Sequence, residues 1–208
     1  AAAIAHGMRL AAEGADIVDV GGESSRPGAV PVEEALELDR VVPVIEALSA
    51  AGITVSVDTR RARVMAAAAD AGAVVVNDVT ALGSDPDAPG IVADRGLSVV
   101  LMHMQGTPGT MQDAPSYSDA PLDIYRWLEA RVAACLDTGI GRGRICVDPG
   151  IGFGKTVQHN AQIIARFALF HGSGGAVMAG VPRTNFLAPR RSAAENTADR
   201  APGPLAAP

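Results

Sequence analysis

Asp19, Asp58, Asn77, His103 and Asp148 each end, or directly follow, a short apolar run in this 208-residue chain. These residue types bind and polarise small polar ligands. A buried carboxylate accepting two N–H bonds suits an amino-pyrimidine edge. Asp58, Asn77 and Asp148 together could read the donor and acceptor edge of a heterocycle. One such residue alone is more often a cap on nearby backbone N–H groups. Three at successive run ends favour a binding site.

Two loops frame them. Gly21-Gly-Glu-Ser-Ser-Arg-Pro-Gly28 follows the first run, and its hydroxyls and Arg26 present donors suited to an anion. Asp148-Pro-Gly-Ile-Gly-Phe-Gly-Lys-Thr156 follows the fifth. It approaches the phosphate-binding P-loop pattern, but Pro149 stands where that motif needs its first glycine. The better reading is a Gly-rich wall along which a flat ligand approaches the backbone, with Asp148 pointing at it. His6, His103, His159 and His171 lack metal-ligand spacing, so no zinc site is expected. His103 reads as a packed residue at the site's mouth, and Cys135 and Cys146 as core residues. No G-x-S-x-G elbow is present, which argues against a serine hydrolase.

The runs that position these residues are short and β-branched: 16–20, 53–58, 74–77, 97–102, 145–148 and 176–179. Helical patterns separate them. The chain opens on one at Ala1, and others cover Pro31 to Leu48, Arg61 to Ala71 (followed by Gly72), Leu122 to Leu136 and Val157 to Phe170. Such alternation implies an α/β domain with a parallel sheet. Polar strand ends converge on one mouth in a (β/α)8 barrel, whereas in a doubly wound sheet only those near the switch point do. Five polar ends spread over five units favour the barrel, although only six of its eight strands are found.

Composition excludes several classes. Apolar residues make up 48% of the chain, which is too many for a disordered one. A net charge of −6 and 3% aromatic residues leave little with which to bind nucleic acid. Two cysteines make no disulfide framework, and a reducing, cytoplasmic setting is expected. No apolar run of about 18 residues suggests a membrane span, and no signal-peptide pattern is found. The domain is expected over residues 1–187, with an Ala/Pro-rich, disordered tail over 188–208.

Taken in order, these motifs resemble the dihydropteroate synthases, a family of pterin-binding enzymes. The resemblance rests on Ala11 to Gly28, Ser56-Val-Asp-Thr59, Asn77-Asp78, Leu101-Met-His-Met104 and Asp148 to Thr156, and runs from about Ala1 to about Gly180. It implies a (β/α)8 barrel and a transferase of folate biosynthesis. The reaction joins 6-hydroxymethyl-7,8-dihydropterin diphosphate to p-aminobenzoate, giving 7,8-dihydropteroate and diphosphate. It also implies Mg2+, competition by sulfonamides at the p-aminobenzoate site, and a homodimer. By motif match, Asp58, Asn77 and Asp148 would hold the pterin, with Met102 packed on its ring. Asp148 would also spread developing positive charge, and Arg26 would serve the departing diphosphate. Ser25, Arg26, Pro27, Phe153 and Arg183 would surround p-aminobenzoate and diphosphate.

The chain also departs from the family pattern. The family's first strand, whose Asn holds Mg2+, would lie ahead of Ala1, so no metal ligand is assigned here. Where the family carries a Ser-Arg-Lys signature, this chain reads Val181-Pro-Arg-Thr-Asn-Phe186, with Pro182 in place of Ser and Thr184 in place of Lys. The last family strand, with an Arg and a His for diphosphate, has no counterpart in the tail. A barrel open on two edges would expose backbone groups, and predicts a poorly soluble or molten polypeptide. The competing readings are a non-catalytic pterin-binding relative or inactive fragment, and a methyltetrahydrofolate-binding methyltransferase domain. The Ser25-Arg26-Pro27 loop argues against the latter.

Overall fold

Six parallel strands alternate with helices in a computed structural model that describes residues 1–26 and 28–180. The strands are β1 (Val18–Gly21), β2 (Val55–Asp58), β3 (Val75–Asp78), β4 (Ser98–Met102), β5 (Ile145–Asp148) and β6 (Ala176–Val177). They lie side by side in chain order, each hydrogen-bonded to the next. An order that never reverses keeps every crossover on one side of the sheet, the winding of a barrel wall and not of a doubly wound sheet.

The register fixes which side chains face which way. Asp19 pairs with Ser56, Gly21 with Asp58, Asp58 with Asn77, and Met102 with Asp148. Side chains alternate along a strand, so these residues share one face. The intervening Val18, Val55, Val57, Val76, Val99, Leu101, Ile145 and Val147 occupy the other face and are buried in the core. After α1 (Ala2–Ala12), the helices cover that second face: Val41, Ile45 and Leu48 of α2 (Glu34–Ala50), Val64 and Met65 of α3 (Ala62–Asp70), and Ile124 and Leu128 of α5 (Ala120–Asp137) are all buried there. The sheet is thus apolar outside and polar at the inner rim.

Helix boundaries follow local chemistry. Asp119 caps α5, its carboxylate accepting the Leu122 N–H at 3.1 Å. Thr156 caps α6 (Val157–Ala165) by accepting the His159 N–H, and His159 Nδ1 accepts the Thr156 N–H in return. Three details differ from the sequence reading. The α2 helix begins at Glu34 and not at Pro31, because Glu33 is still extended. The expected helix to Phe170 stops at Ala165, and Phe167–Ser173 tightens into a 3-10 turn. The short helix α4 (Ala88–Asp94) is too brief to show a periodicity. Cys135 is buried in the outer core, whereas Cys146 lies half-buried on the inner face, in register with Val100. Among the described residues no helix is long and apolar enough to cross a membrane.

Candidate functional site

The inner rim gathers the polar strand ends. Asp19 accepts the Ser56 hydroxyl and, from two strands away, the Asn77 side-chain N–H at 2.9 Å. With its nitrogen engaged, Asn77 retains its carbonyl oxygen to accept from a ligand. Asp58 pairs in register with Asn77. Its carboxyl is pushed up to about 7, first by burial and then by the negative charges of Asp19, Asp78, Glu37 and Glu23. An Asp poised near neutrality gains from any ligand that offers it N–H donors.

Asp148 lies next to Met102 in the ladder, and both are buried. Its carboxylate accepts the Gly150 N–H at 2.7 Å. Burial pushes its pKa up; the Gly150 and Gly180 N–H groups and the positive charge of Lys155 pull it part of the way back. A Cβ on Gly180 would stand 3.0 Å from Asp148 Oδ2, so the backbone reaches this carboxylate closely only because residue 180 is glycine.

The loop after β1 is held from below by its own glutamate. Glu23 accepts the Val32 N–H at 2.8 Å, Arg60 Nε at 3.1 Å and Arg61 Nη2 at 3.0 Å. Burial raises the Glu23 pKa, but those donors outweigh it and hold the group below its ordinary value. Arg61 also pairs with Glu37, which is 1% exposed and accepts the Thr59 hydroxyl at 2.6 Å. Above this network Ser24, Ser25, Asp58, Thr59, Arg60, Thr107 and Arg131 help to line a cavity of about 440 Å3. Arg26 is exposed on the same loop, and the Gly28 N–H bonds the Pro108 carbonyl at 3.0 Å, joining this loop to the one after β4.

Opposite stands the Gly-rich loop 149–155. Phe153 is half-buried there. Lys155 is 3% exposed and turns inward: Nζ donates to the Phe153 carbonyl at 2.7 Å and to the His103 carbonyl at 3.1 Å, and lies 3.0 Å from His103 Nδ1. A P-loop lysine would reach out toward phosphates; this one faces the protein. His103 is buried with its ring edge-on to Trp127, at 4.9 Å between ring centres. Burial and the neighbouring Lys155 push it down to about 3, so it is neutral.

Ser25 and Asp58 therefore share the cavity, while Asn77, Met102 and Asp148 lie beside it on the inner rim and Phe153 on the facing loop. Pro27 and Arg183, with Thr184, lie outside the described residues. Sequence reasoning did not single out Glu23, Glu37, Arg61 or Lys155 as parts of the machinery. The signal open to it was an acidic residue inside a Gly-Gly-Glu-Ser turn facing an Arg-Arg pair. Among the described residues no three His, Cys, Asp or Glu side chains cluster to hold a metal ion.

The family model described as "Pterin binding enzyme" matches residues 1–207. The dihydropteroate synthase of Escherichia coli (strain K12) is 40% identical over 186 residues, covering 89% of this chain and 66% of that protein. Among solved structures, Xanthomonas albilineans dihydropteroate synthase with 4-aminobenzoic acid superposes with a TM-score of 0.83 at 47% identity, covering 89% of this chain and 66% of that one. The same enzyme in complex with 7,8-dihydropteroate gives a TM-score of 0.78 at 43% identity, covering 88% and 64%. The chain thus spans 66% of the length of the curated relative, and the part it spans includes the wall of six strands and the rim of polar strand ends. A match along nearly the whole chain, on a parallel barrel wall whose inner rim is acidic, places it: the chain belongs to the pterin-binding enzyme family.

Proposed function

We propose that this chain carries the pterin and p-aminobenzoate sites of a dihydropteroate synthase. The observation that carries this reading is the placement of Asp58, Asn77 and Asp148 at the inner ends of β2, β3 and β5, two of them carboxyls raised by burial. Such groups suit the N–H-rich edge of a pterin, which repays their desolvation with charge-assisted hydrogen bonds. Met102, beside Asp148 in the ladder, supplies a polarizable apolar face for the flat ring.

In the reaction, the C–O bond between the pterin methylene and diphosphate breaks, and a C–N bond to the aniline nitrogen of p-aminobenzoate forms. The aniline nitrogen loses a proton, and diphosphate leaves with the C–O electron pair. Asp148 stabilises positive charge that develops on the pterin, and Arg26 stabilises negative charge on the departing diphosphate. Ser25, Arg26, Pro27, Phe153 and Arg183 are assigned to p-aminobenzoate and diphosphate. The first loop, anchored by Glu23, excludes water that would otherwise capture the electrophile. The resemblance also implies Mg2+, which would neutralise diphosphate charge. The described residues offer no group of ligands for it, so none of these steps runs through the ion.

The test is titration of the folded chain with 6-hydroxymethylpterin, followed by quenching of pterin fluorescence, with Asp58→Asn as control. Saturable binding that the substitution weakens by roughly thirty-fold supports the reading. A folded chain that binds no pterin, or binds it equally after Asp58→Asn, overturns it. Addition of p-aminobenzoate to the diphosphate ester then separates a synthase from a pterin-binding relative without turnover.

A further inference from the structure

Lys155 is a buried cation that the reaction above does not use. It sits where two mouth loops lock together. The His103 N–H bonds the Asp148 carbonyl at 2.9 Å, and Gln112 Nε2 bonds the Gly152 carbonyl at 2.8 Å. The Tyr117 hydroxyl bonds the Gly154 carbonyl at 2.7 Å. Contact is close enough that a Cβ on Gly150 would stand 2.1 Å from the His103 carbonyl oxygen, and one on Gly154 2.6 Å from that of Gln105. Lys155 Nζ lies inside this seam with three acceptors, His103 Nδ1, His103 O and Phe153 O. With its ring proton on Nε2, His103 offers the Lys155 ammonium a third acceptor beside the two carbonyl oxygens.

The two loops joined in this way start from Met102 and Asp148, adjacent in the ladder, and the second carries Phe153. Resting on the pterin reading above, we propose that Lys155 is a positioning residue for the pterin site. Its side chain, on the loop after β5, ties that loop to the one after β4 through His103. The titratable groups around it are His103 from the end of β4, Tyr117 from the following loop and Asp148 from the end of β5; Cys146 of β5 faces Asp148 as well. Burial lowers the Lys155 pKa to about 7 although the Asp148 charge raises it, and burial leaves the Asp148 pKa raised although the Lys155 charge lowers it. Each charge thus favours the other's ionised form.

Two measurements on the whole chain test this: pterin affinity, with 6-hydroxymethylpterin as probe, and the carboxyl titration of Asp148 by carbon NMR of aspartate-labelled protein. Lys155→Met is expected to weaken pterin binding more than ten-fold and to raise the Asp148 midpoint by about one pH unit. Tyr117→Phe removes a bond across the same seam without touching charge. It is expected to leave the Asp148 midpoint in place and pterin affinity within about two-fold. Equal behaviour of the two variants, or an Asp148 midpoint unchanged in Lys155→Met, overturns the proposal. Should Lys155→Met fail to fold, Lys155→Arg decides: a retained cation keeps the Asp148 midpoint where it stands in the unaltered chain, and a higher midpoint there refutes the assignment. Absence of pterin binding by the unaltered chain overturns the proposed function instead, and the carboxyl titration still decides whether Lys155 sets the charge of Asp148.

Discussion

Asn77 on β3 donates its side-chain N–H to Asp19 on β1 at 2.9 Å, across the intervening β2. Strands two apart in a flat sheet lie almost 10 Å from each other. Their side chains meet here because the sheet curls toward its polar face, as a barrel wall does. The bond fixes the Asn77 amide and places the Asp19 carboxylate where it presses on Asp58.

That pressure is measurable. Asp19 is the foremost of the negative neighbours that raise Asp58, after burial itself. Replacement Asp19→Asn keeps the shape and removes the charge. The Asp58 midpoint is expected to fall from about 7 by roughly half a unit to one unit, read by carbon NMR of the carboxyl group. A midpoint that stays in place would assign the whole shift to burial.

Asp58 also sets a pH dependence whose sign is opposite for stability and for binding. Its folded pKa, about 7, lies above the ordinary value of 3.8. Between those values the folded chain holds a proton that the unfolded chain releases. Its contribution to stability is therefore present at low pH and is lost as pH rises through about 4 to 7. Pterin binding calls for the ionised carboxylate, so affinity rises with pH up to about 7 and then levels off. Asp58→Asn removes this ionisation from both profiles and weakens pterin binding by about 2 kcal/mol, roughly thirty-fold. Paired denaturation and titration series between about pH 4 and pH 8, which bracket the ordinary and the raised Asp58 values, check both signs.

The order of elements was legible from short β-branched runs and the helical patterns between them, since both signals are local. The polar residue at each strand end was legible too, because it breaks an apolar run. The two-sided character of the sheet was less so. Ser56 and Ser98 alternate with valines in the same strands, but so short a stretch shows little period. Least legible were the buried charges. Glu37 reads as one acidic residue in an amphipathic helix, and its partners Thr59 and Arg61 come 22 and 24 residues later. Lys155 meets His103 from 52 residues away. No local pattern encodes such pairings; they follow once register has brought the loops together.

Removal of Glu37 exposes how much that network supports the first loop. Glu37→Ala leaves the Thr59 hydroxyl and one arm of Arg61 without their acceptor in a buried setting. Truncation of one partner of a buried ion pair costs about 3–5 kcal/mol. Arg61 keeps Glu23 as a second partner, which favours the lower end. Urea denaturation gives the stability difference, and a loss under about 1 kcal/mol would mean that water replaces the carboxylate freely.

Glycine is required at the seam between the mouth loops for two separate reasons. Gly150 and Gly154 have φ of +66° and +61°, and a Cβ on either would collide with a backbone carbonyl oxygen. Gly139 has φ of +92° but open space around it. Gly139→Ala is therefore expected to cost only the backbone strain, about 1–2 kcal/mol. Gly150→Ala and Gly154→Ala add overpacking of about 1–3 kcal/mol, and they shift Asp148 and Phe153 with the loop. Denaturation of all three variants, with pterin titration of each, separates the two costs: pterin affinity falls for the seam variants and holds for Gly139→Ala.

Arg26 is exposed, on a loop anchored through Glu23, the Arg40–Gly22 bond and the Gly28–Pro108 bond. An exposed guanidinium contributes little to stability, so Arg26→Ala should leave the denaturation midpoint unchanged within about 0.5 kcal/mol. Its assigned role concerns a polyanion, which makes the effect selective. Pterin affinity should stay within about two-fold, whereas p-aminobenzoate binding in the presence of pterin and diphosphate should weaken by about ten-fold or more. Screening adds a second signature: over about 0.05 to 0.5 M salt the diphosphate-dependent gain in p-aminobenzoate affinity shrinks in the unaltered chain and stays flat in Arg26→Ala. Calorimetric titrations with and without diphosphate measure both. An Arg26→Ala chain that keeps the full diphosphate-dependent gain would place the anion on other cations of the mouth, with Arg60 and Arg131 in the cavity wall the first to substitute.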